Sequence, residues 1–82
     1  MNTEEKLKLN DRLEIAQTIV INMKNDFKLK YERLRESNQA EALMNLLLAN
    51  KMCDLAIAIG NAKMNVLEPE KLLSSELNKK GE

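Results

Sequence analysis

The sequence contains no histidine or tryptophan, and only one cysteine, one proline and two glycines among 82 residues. Without histidine, nucleophilic catalysis by a Ser-His or Cys-His pair is excluded, and the Cys and His spacings of structural zinc sites are absent. The two glycines, Gly60 and Gly81, are too far apart to form a phosphate-binding loop. We therefore expect neither an enzyme nor a metal or cofactor site.

The single cysteine also excludes a disulfide framework within one chain. Cys53 lies in a stretch rich in Leu, Ala and Ile, and this setting predicts a buried, inert thiol. Residues 1–9 are charged and lack the hydrophobic run of a signal peptide. Together these features predict a cytoplasmic location, which would be the host cytoplasm for a viral protein.

The charge balance argues against DNA as a partner. Thirteen basic and thirteen acidic side chains cancel, and Phe27 and Tyr31 are the only aromatic residues. A protein that coats nucleic acid needs a strong positive field, and a base-stacking platform needs several aromatic rings. The composition provides neither.

The N-terminal part of the chain, from Thr3 to Glu36, has no glycine or proline, and its apolar residues recur at alternating spacings of four and three. This heptad pattern predicts one long amphipathic helix over about residues 3–36. Lys30 is the one polar position of the predicted seam. The seam consists of Leu9, Leu13, Ala16, Val20, Met23, Phe27, Lys30 and Leu34.

The remaining chain predicts two further helices. Asn38, with Glu41 three residues later, forms a capping box that begins a second helix, at about residues 39–64. The connection between the two long helices is short, and such a connection is typical of an antiparallel helical hairpin. Pro69 suits the first turn of a short third helix, at about residues 69–77. We therefore predict a single all-α domain comprising residues 1–82.

The second helix is apolar around most of its circumference between Ala42 and Ile59, where only Asn45, Asn50, Lys51 and Asp54 interrupt it. One partner helix cannot cover such a surface, so the pattern predicts assembly into a homo-oligomeric bundle. Membrane insertion is not expected, because each charged residue near the middle would cost about 2.5–3.5 kcal/mol. The predicted interface with other copies comprises Leu46, Ala49, Met52, Cys53, Ala56, Ile57 and Gly60.

One face of the first helix combines positive charge with an aromatic ring. Lys24, Lys28, Tyr31 and Arg35 succeed one another at spacings of four, three and four residues. Such a face could stack on a base through the ring and bind phosphates through the cations. It could equally be a solvated flank whose charges pair with acids three or four residues away. Both interpretations remain open.

The second helix resembles a known family. Ala42-Leu43, Leu46, Ala49, Cys53 and Ala56-Ile57-Ala58 are similar to the second hairpin helix of the small phage proteins that sequester cyclic oligonucleotide signals, the anti-CBASS sponges. The resemblance implies an oligomer of helical hairpins, commonly hexameric, with nucleotide pockets between protomers. It also implies a cyclic di- or trinucleotide ligand that is held without catalysis. No ligand residue is carried over from the family.

Two other functions fit the same pattern. An amphipathic hairpin could bind a host or phage protein as an adaptor or inhibitor, for example as a cytoplasmic antiholin or a host-factor inhibitor. A purely structural coiled coil or assembly chaperone is the third interpretation. These alternatives predict a protein partner and no nucleotide ligand.

Overall fold

The computed structural model describes residues 1–81, and their regular structure is entirely helical. Helix α1 spans Thr3–Leu34, α2 spans Gln39–Leu67 and α3 spans Pro69–Gly81. The predicted all-α class and the hairpin of two long helices are confirmed. The bounds differ from the predicted ones mainly at the C-terminal ends: α1 stops slightly earlier, whereas α2 and α3 continue further.

Asparagine side chains cap the N-termini of both long helices. The Glu5 backbone N–H donates to Asn2 Oδ1 at 2.8 Å, and the Glu41 N–H donates to Asn38 Oδ1 at 3.1 Å. At α2 the bond is reciprocal, since Asn38 Nδ2 also donates to Glu41 Oε2 at 3.2 Å. These bonds satisfy backbone donors that have no partner inside the helix, and they explain why each helix begins where it does.

A short turn at residues 35–38 reverses the chain. The Asn38 N–H donates to the Leu34 carbonyl oxygen at 2.8 Å, which closes the end of α1. After α2, Pro69 occupies the first position of α3, where its missing N–H is not needed. The chain therefore changes direction twice, once sharply between α1 and α2 and once at the corner before α3.

The three helices lie in a single layer. Helices α1 and α2 pack along their length, whereas α3 contacts only the end of α2 within residues 1–81. The Cα atoms extend over 52 × 35 × 10 Å. A layer this thin cannot enclose a core, so both broad faces of the hairpin remain open to solvent.

Small side chains form the contact between α1 and α2. Within the hairpin the buried apolar residues are Val20, Ala42, Ala49 and Ala56, and the buried polar residue is Asn45. Three alanines on the α1-facing side of α2 leave the large side chains of that helix pointing elsewhere. Exposed large apolar residues of α2 include Leu43, Met44, Leu47, Leu48, Leu55, Ile57, Met64 and Leu67.

The contact side of α1 is rotated slightly from the predicted heptad seam. The predicted positions Leu9, Met23 and Lys30 are exposed, so this part of the prediction was wrong. Lys24 and Tyr31 are half-buried instead. The alanine-lined side of α2 leaves space for the apolar stem of Lys24 and the edge of the Tyr31 ring. Both side chains can lie against a helix while the ammonium group and the hydroxyl group remain in water.

Candidate functional site

The four predicted ligand-binding residues lie on one flank of α1 and at its C-terminal end. Lys24 and Tyr31 are half-buried, while Lys28 and Arg35 are exposed. At about 100° per residue, the spacing between them keeps all four within about a sixth of the helix circumference. They therefore form one continuous flank, with its cations directed to solvent.

The cations of this flank are weakly engaged. Arg35 Nη1 lies 3.3 Å from Glu32 Oε2, and both side chains are more than half exposed. Exposed pairs of this kind contribute little to stability, so the guanidinium group can still donate to another anion. Lys24 and Lys28 form no ion pair with residues 1–79.

A shallow groove of about 260 Å³ adjoins the flank where α1 meets α2. Tyr31 and Arg35 form one wall, and Leu43 and Leu46 of α2 lie on the other side. Pockets that enclose a small ligand usually measure about 300–1,000 Å³. The groove of the single chain is therefore smaller than a pocket that encloses a small ligand. The complete lining is Tyr31, Arg35, Gln39, Ala42, Leu43 and Leu46.

A larger groove, of about 400 Å³, lies in the corner between α2 and α3. Its charges are paired: Lys71 Nζ lies 2.7 Å from Glu68 Oε2, and Lys79 Nζ lies 3.6 Å from Glu76 Oε1. The hydrogen bond to Glu68 raises the pKa of Lys71 above its ordinary value. Because each cation already has an acidic neighbour, this corner is less suited to an anionic ligand than the Tyr31 groove.

The predicted interface residues fall on different sides of α2. Ala49 and Ala56 are buried against α1, so in the folded hairpin they contact their own chain. Leu46, Met52 and Gly60 are half-buried at the edges of this contact. Among the predicted set, Cys53 and Ile57 alone are exposed and remain free to meet another copy.

The prediction of a buried thiol was wrong for the single chain, because Cys53 is exposed. The apolar character of its neighbours in sequence does not bury it. Residues on the α1-facing side of α2 recur at Ala42, Asn45, Ala49 and Ala56, and Cys53 lies at the margin of that side.

Two polar contacts of the hairpin were not predicted from the sequence. Gln17 Nε2 donates to the Ala56 carbonyl oxygen at 2.9 Å, and it does so directly over Gly60, where an added Cβ would lie 3.2 Å from the same nitrogen. Asn45 Nδ2 donates to the Glu41 carbonyl oxygen at 2.9 Å. The sequence signal was the placement of Asn45 at the same helical spacing as the buried alanines.

Two properties of the described residues bear on the kind of site. They contain no group of three or more His, Cys, Asp or Glu side chains that could hold a metal ion. By length and composition, helix α2 is long and apolar enough to cross a membrane. Of its most apolar 18-residue stretch, 17% is buried within the chain. The core helix of a water-soluble protein meets the same criterion, so the finding does not by itself assign a location.

Comparison with known proteins adds no assignment, since no family model, curated protein or solved structure matches this chain.

Proposed function

We propose that this chain is a small phage-type antagonist of host defence that binds a cyclic di- or trinucleotide between copies of itself. It sequesters this signal without catalysis. The observation that carries the proposal is the flank of Lys24, Lys28, Tyr31 and Arg35 beside an open groove. The resemblance of α2 to the anti-CBASS sponges supports the same ligand class.

The chemistry of the flank suits a cyclic nucleotide. Such a ligand presents two or three phosphates and flat bases within a compact ring. Arginine and lysine make charge-assisted hydrogen bonds to phosphate oxygens, and a tyrosine ring offers a face for stacking. Tyr31 is held half-buried between the helices, so its ring is oriented by packing before any ligand arrives.

The exposed area supports a site between copies. The chain has an accessible surface of 6399 Å² for a mass of 9.4 kDa. A compact monomer of that mass exposes about 5,000 Å², which leaves an excess of about 1,400 Å². A standard interface removes about 800 Å² from each partner, so the excess is enough for at least one contact between copies.

The test is calorimetry and thermal unfolding with cyclic di- and trinucleotides, and with linear dinucleotides of the same bases as a comparison. We expect micromolar or tighter binding of the cyclic ligand and a rise of the melting temperature, because a ligand that binds only the folded state stabilises it. Lys28→Glu and Arg35→Glu should each weaken binding about tenfold or more, since each replaces attraction to phosphate by repulsion.

Lys8→Glu is the matched control. Lys8 is an exposed lysine of α1 that pairs with Glu4 at 3.5 Å, and it lies near the opposite end of the helix. Binding by this variant should equal that of the original chain. Equal binding by the Lys28 and Arg35 variants would place the ligand elsewhere, and no binding of any cyclic nucleotide would reject the proposal.

The exposed apolar surface favours one alternative, a helical adaptor or inhibitor that binds a host or phage protein. Met44, Leu48 and Leu55 are each 44–57% exposed, and their spacings of four and seven residues place them on one face, as helix-in-groove recognition requires. This function predicts no response to nucleotides and a stoichiometric complex with one defined protein after purification from the producing cell.

A further inference from the structure

The side of α2 that faces away from α1 carries a regular stripe, which we call the outer stripe. Its members recur at spacings of four, four, three, four and four residues, and all are exposed except the last, which is half-buried. About 100° per residue places them opposite Ala42, Ala49 and Ala56. The outer stripe consists of Leu43, Leu47, Lys51, Asp54, Ala58 and Ala62.

The two charged residues of the outer stripe can pair with the same two residues of a second copy. Lys51 and Asp54 form no ion pair with residues 1–79, although each lies among apolar neighbours. A second copy of α2, antiparallel and related by a two-fold axis between Met52 and Cys53, brings Lys51 opposite Asp54 of that copy. Two-fold symmetry then forms the same pair twice.

The sizes of the apolar side chains match in the same register. The symmetry that pairs the charges also places Leu47 opposite Ala58 of the second copy, and Leu43 opposite Ala62. Large side chains of the N-terminal half therefore meet small ones of the C-terminal half, which lets two helices interdigitate at close range.

Other alignments of the two stripes lose the charge match. A parallel pair in register places Lys51 against Lys51 and Leu47 against Leu47, so like charges and large side chains face each other. An antiparallel pair that slips by one turn separates Lys51 from Asp54. The pattern is therefore specific for one arrangement. Specific pairing is expected when wrong alignments are opposed by repulsion and the right alignment is favoured by attraction.

We infer that the outer stripe is an interaction surface for a second copy of this chain, packed antiparallel through α2. The chain as a whole exposes about 1,400 Å² more than a compact monomer of its mass, and this excess is larger than the roughly 800 Å² that a standard interface removes from each partner. Helix α3 borders α2 from Asn61 to its C-cap Glu68, so it adjoins only the Ala62 end of the stripe. Apart from Leu43, the stripe shares no residue with the Tyr31 groove, so pairing is measurable without any ligand.

The first experiment is sedimentation equilibrium of charge-reversed variants without nucleotide. Lys51→Glu and Asp54→Lys alone should each raise the dimer dissociation constant about tenfold or more, because each change places like charges opposite each other twice. The double variant Lys51→Glu/Asp54→Lys restores opposite charges and should return to within about threefold of the original. Lys8→Glu, the control, should leave association unchanged. A double variant as weak as the two single changes combined would overturn the inference.

The second experiment fixes direction and register by cross-linking in a Cys53→Ser background. A chain with Leu47→Cys is mixed with a chain with Ala58→Cys, and the mixture is oxidised. The antiparallel register predicts the mixed disulfide. In this background each chain carries a single cysteine, so every disulfide observed joins two chains.

Three other outcomes would each overturn the inference that the outer stripe binds a second copy. Disulfides between identical chains would show parallel pairing and overturn the inference. A monomer at every concentration would do the same, as would partition of α2 into phosphatidylcholine–phosphatidylglycerol vesicles, since lipid would then cover the stripe. Nucleotide binding is scored separately, so a failed pairing with intact binding rejects this surface alone, and the reverse result rejects the proposed ligand alone.

Discussion

Gln17 makes the one side-chain hydrogen bond that joins α1 to α2 among the described residues. Its amide donates to the Ala56 carbonyl oxygen at 2.9 Å, and Gly60 leaves the space through which it reaches that atom. The contact is part-buried, so it contributes more than a surface hydrogen bond would. It also links one defined position of α1 to one defined position of α2.

The first prediction measures this coupling. Gly60→Ala should stabilise the chain by about 1 kcal/mol in a Gln17→Ala background, since alanine favours helix over glycine by roughly that amount. In the original chain the gain should be smaller by about 0.5–1 kcal/mol, because the new methyl group crowds the Gln17 amide and weakens its bond. Urea unfolding at fixed protein concentration gives the four free energies. Equal effects of Gly60→Ala in both backgrounds would show that the two residues are independent.

At the scale of the helices, the two asparagine caps differ in how firmly they are tied to the hairpin. Asn38 begins α2 directly after the turn and makes two bonds with Glu41. Asn2 makes one bond with Glu5, and the side chains of residues 1–5 are all exposed. The first turn of α1 can therefore fray without disturbing the hairpin, whereas the first turn of α2 cannot.

The second prediction compares these caps. Asn38→Ala should lower the free energy of unfolding by about 1 kcal/mol, the usual cost of losing an N-cap. Asn2→Ala should cost less than about 0.5 kcal/mol, since a frayed end contributes little to global unfolding. Chemical denaturation of both variants at one protein concentration tests this difference. A larger loss at Asn2 would mean that the N-terminal turn is part of the cooperative unit.

The N-terminal ends of the helices were predictable because caps are local: Asn38 with Glu41 marks the start of α2 within four residues of sequence. The rotation of α1 about its axis was not predictable, because it depends on which side of α2 carries the small alanine side chains. Leu9 and Met23 fit a heptad as well as Lys24 and Tyr31 fit the observed side. Only the three-dimensional contact shows that α1 packs on the alanines of α2. The candidate groove depends on the same contact, so the sequence predicted the cationic flank but not its neighbours on α2.

Considered as a whole, the molecule is too thin to hide its apolar residues. Its Cα layer is 10 Å thick, and no large side chain among the described residues is fully buried. Val20 and three alanines are a small core for a chain of 82 residues. Domains of this size are marginal even with a good core, and association is a common remedy. Stability should therefore depend on how many chains are present.

The third prediction rests on that dependence. If folding and pairing through the outer stripe are coupled, each tenfold rise in protein concentration adds about 1.4 kcal/mol to the stability of a dimer. For two chains of this length the melting temperature should then rise by about 3–6 °C per tenfold. Calorimetric or circular-dichroism melts over a wide range of protein concentration measure this shift. Lys51→Glu should melt lower at each concentration, because like charges oppose the pairing, and Lys51→Glu/Asp54→Lys should recover. A melting temperature that does not change with concentration would mean that the thin hairpin is stable alone, and the apolar surface of α2 would then need a partner other than a second copy.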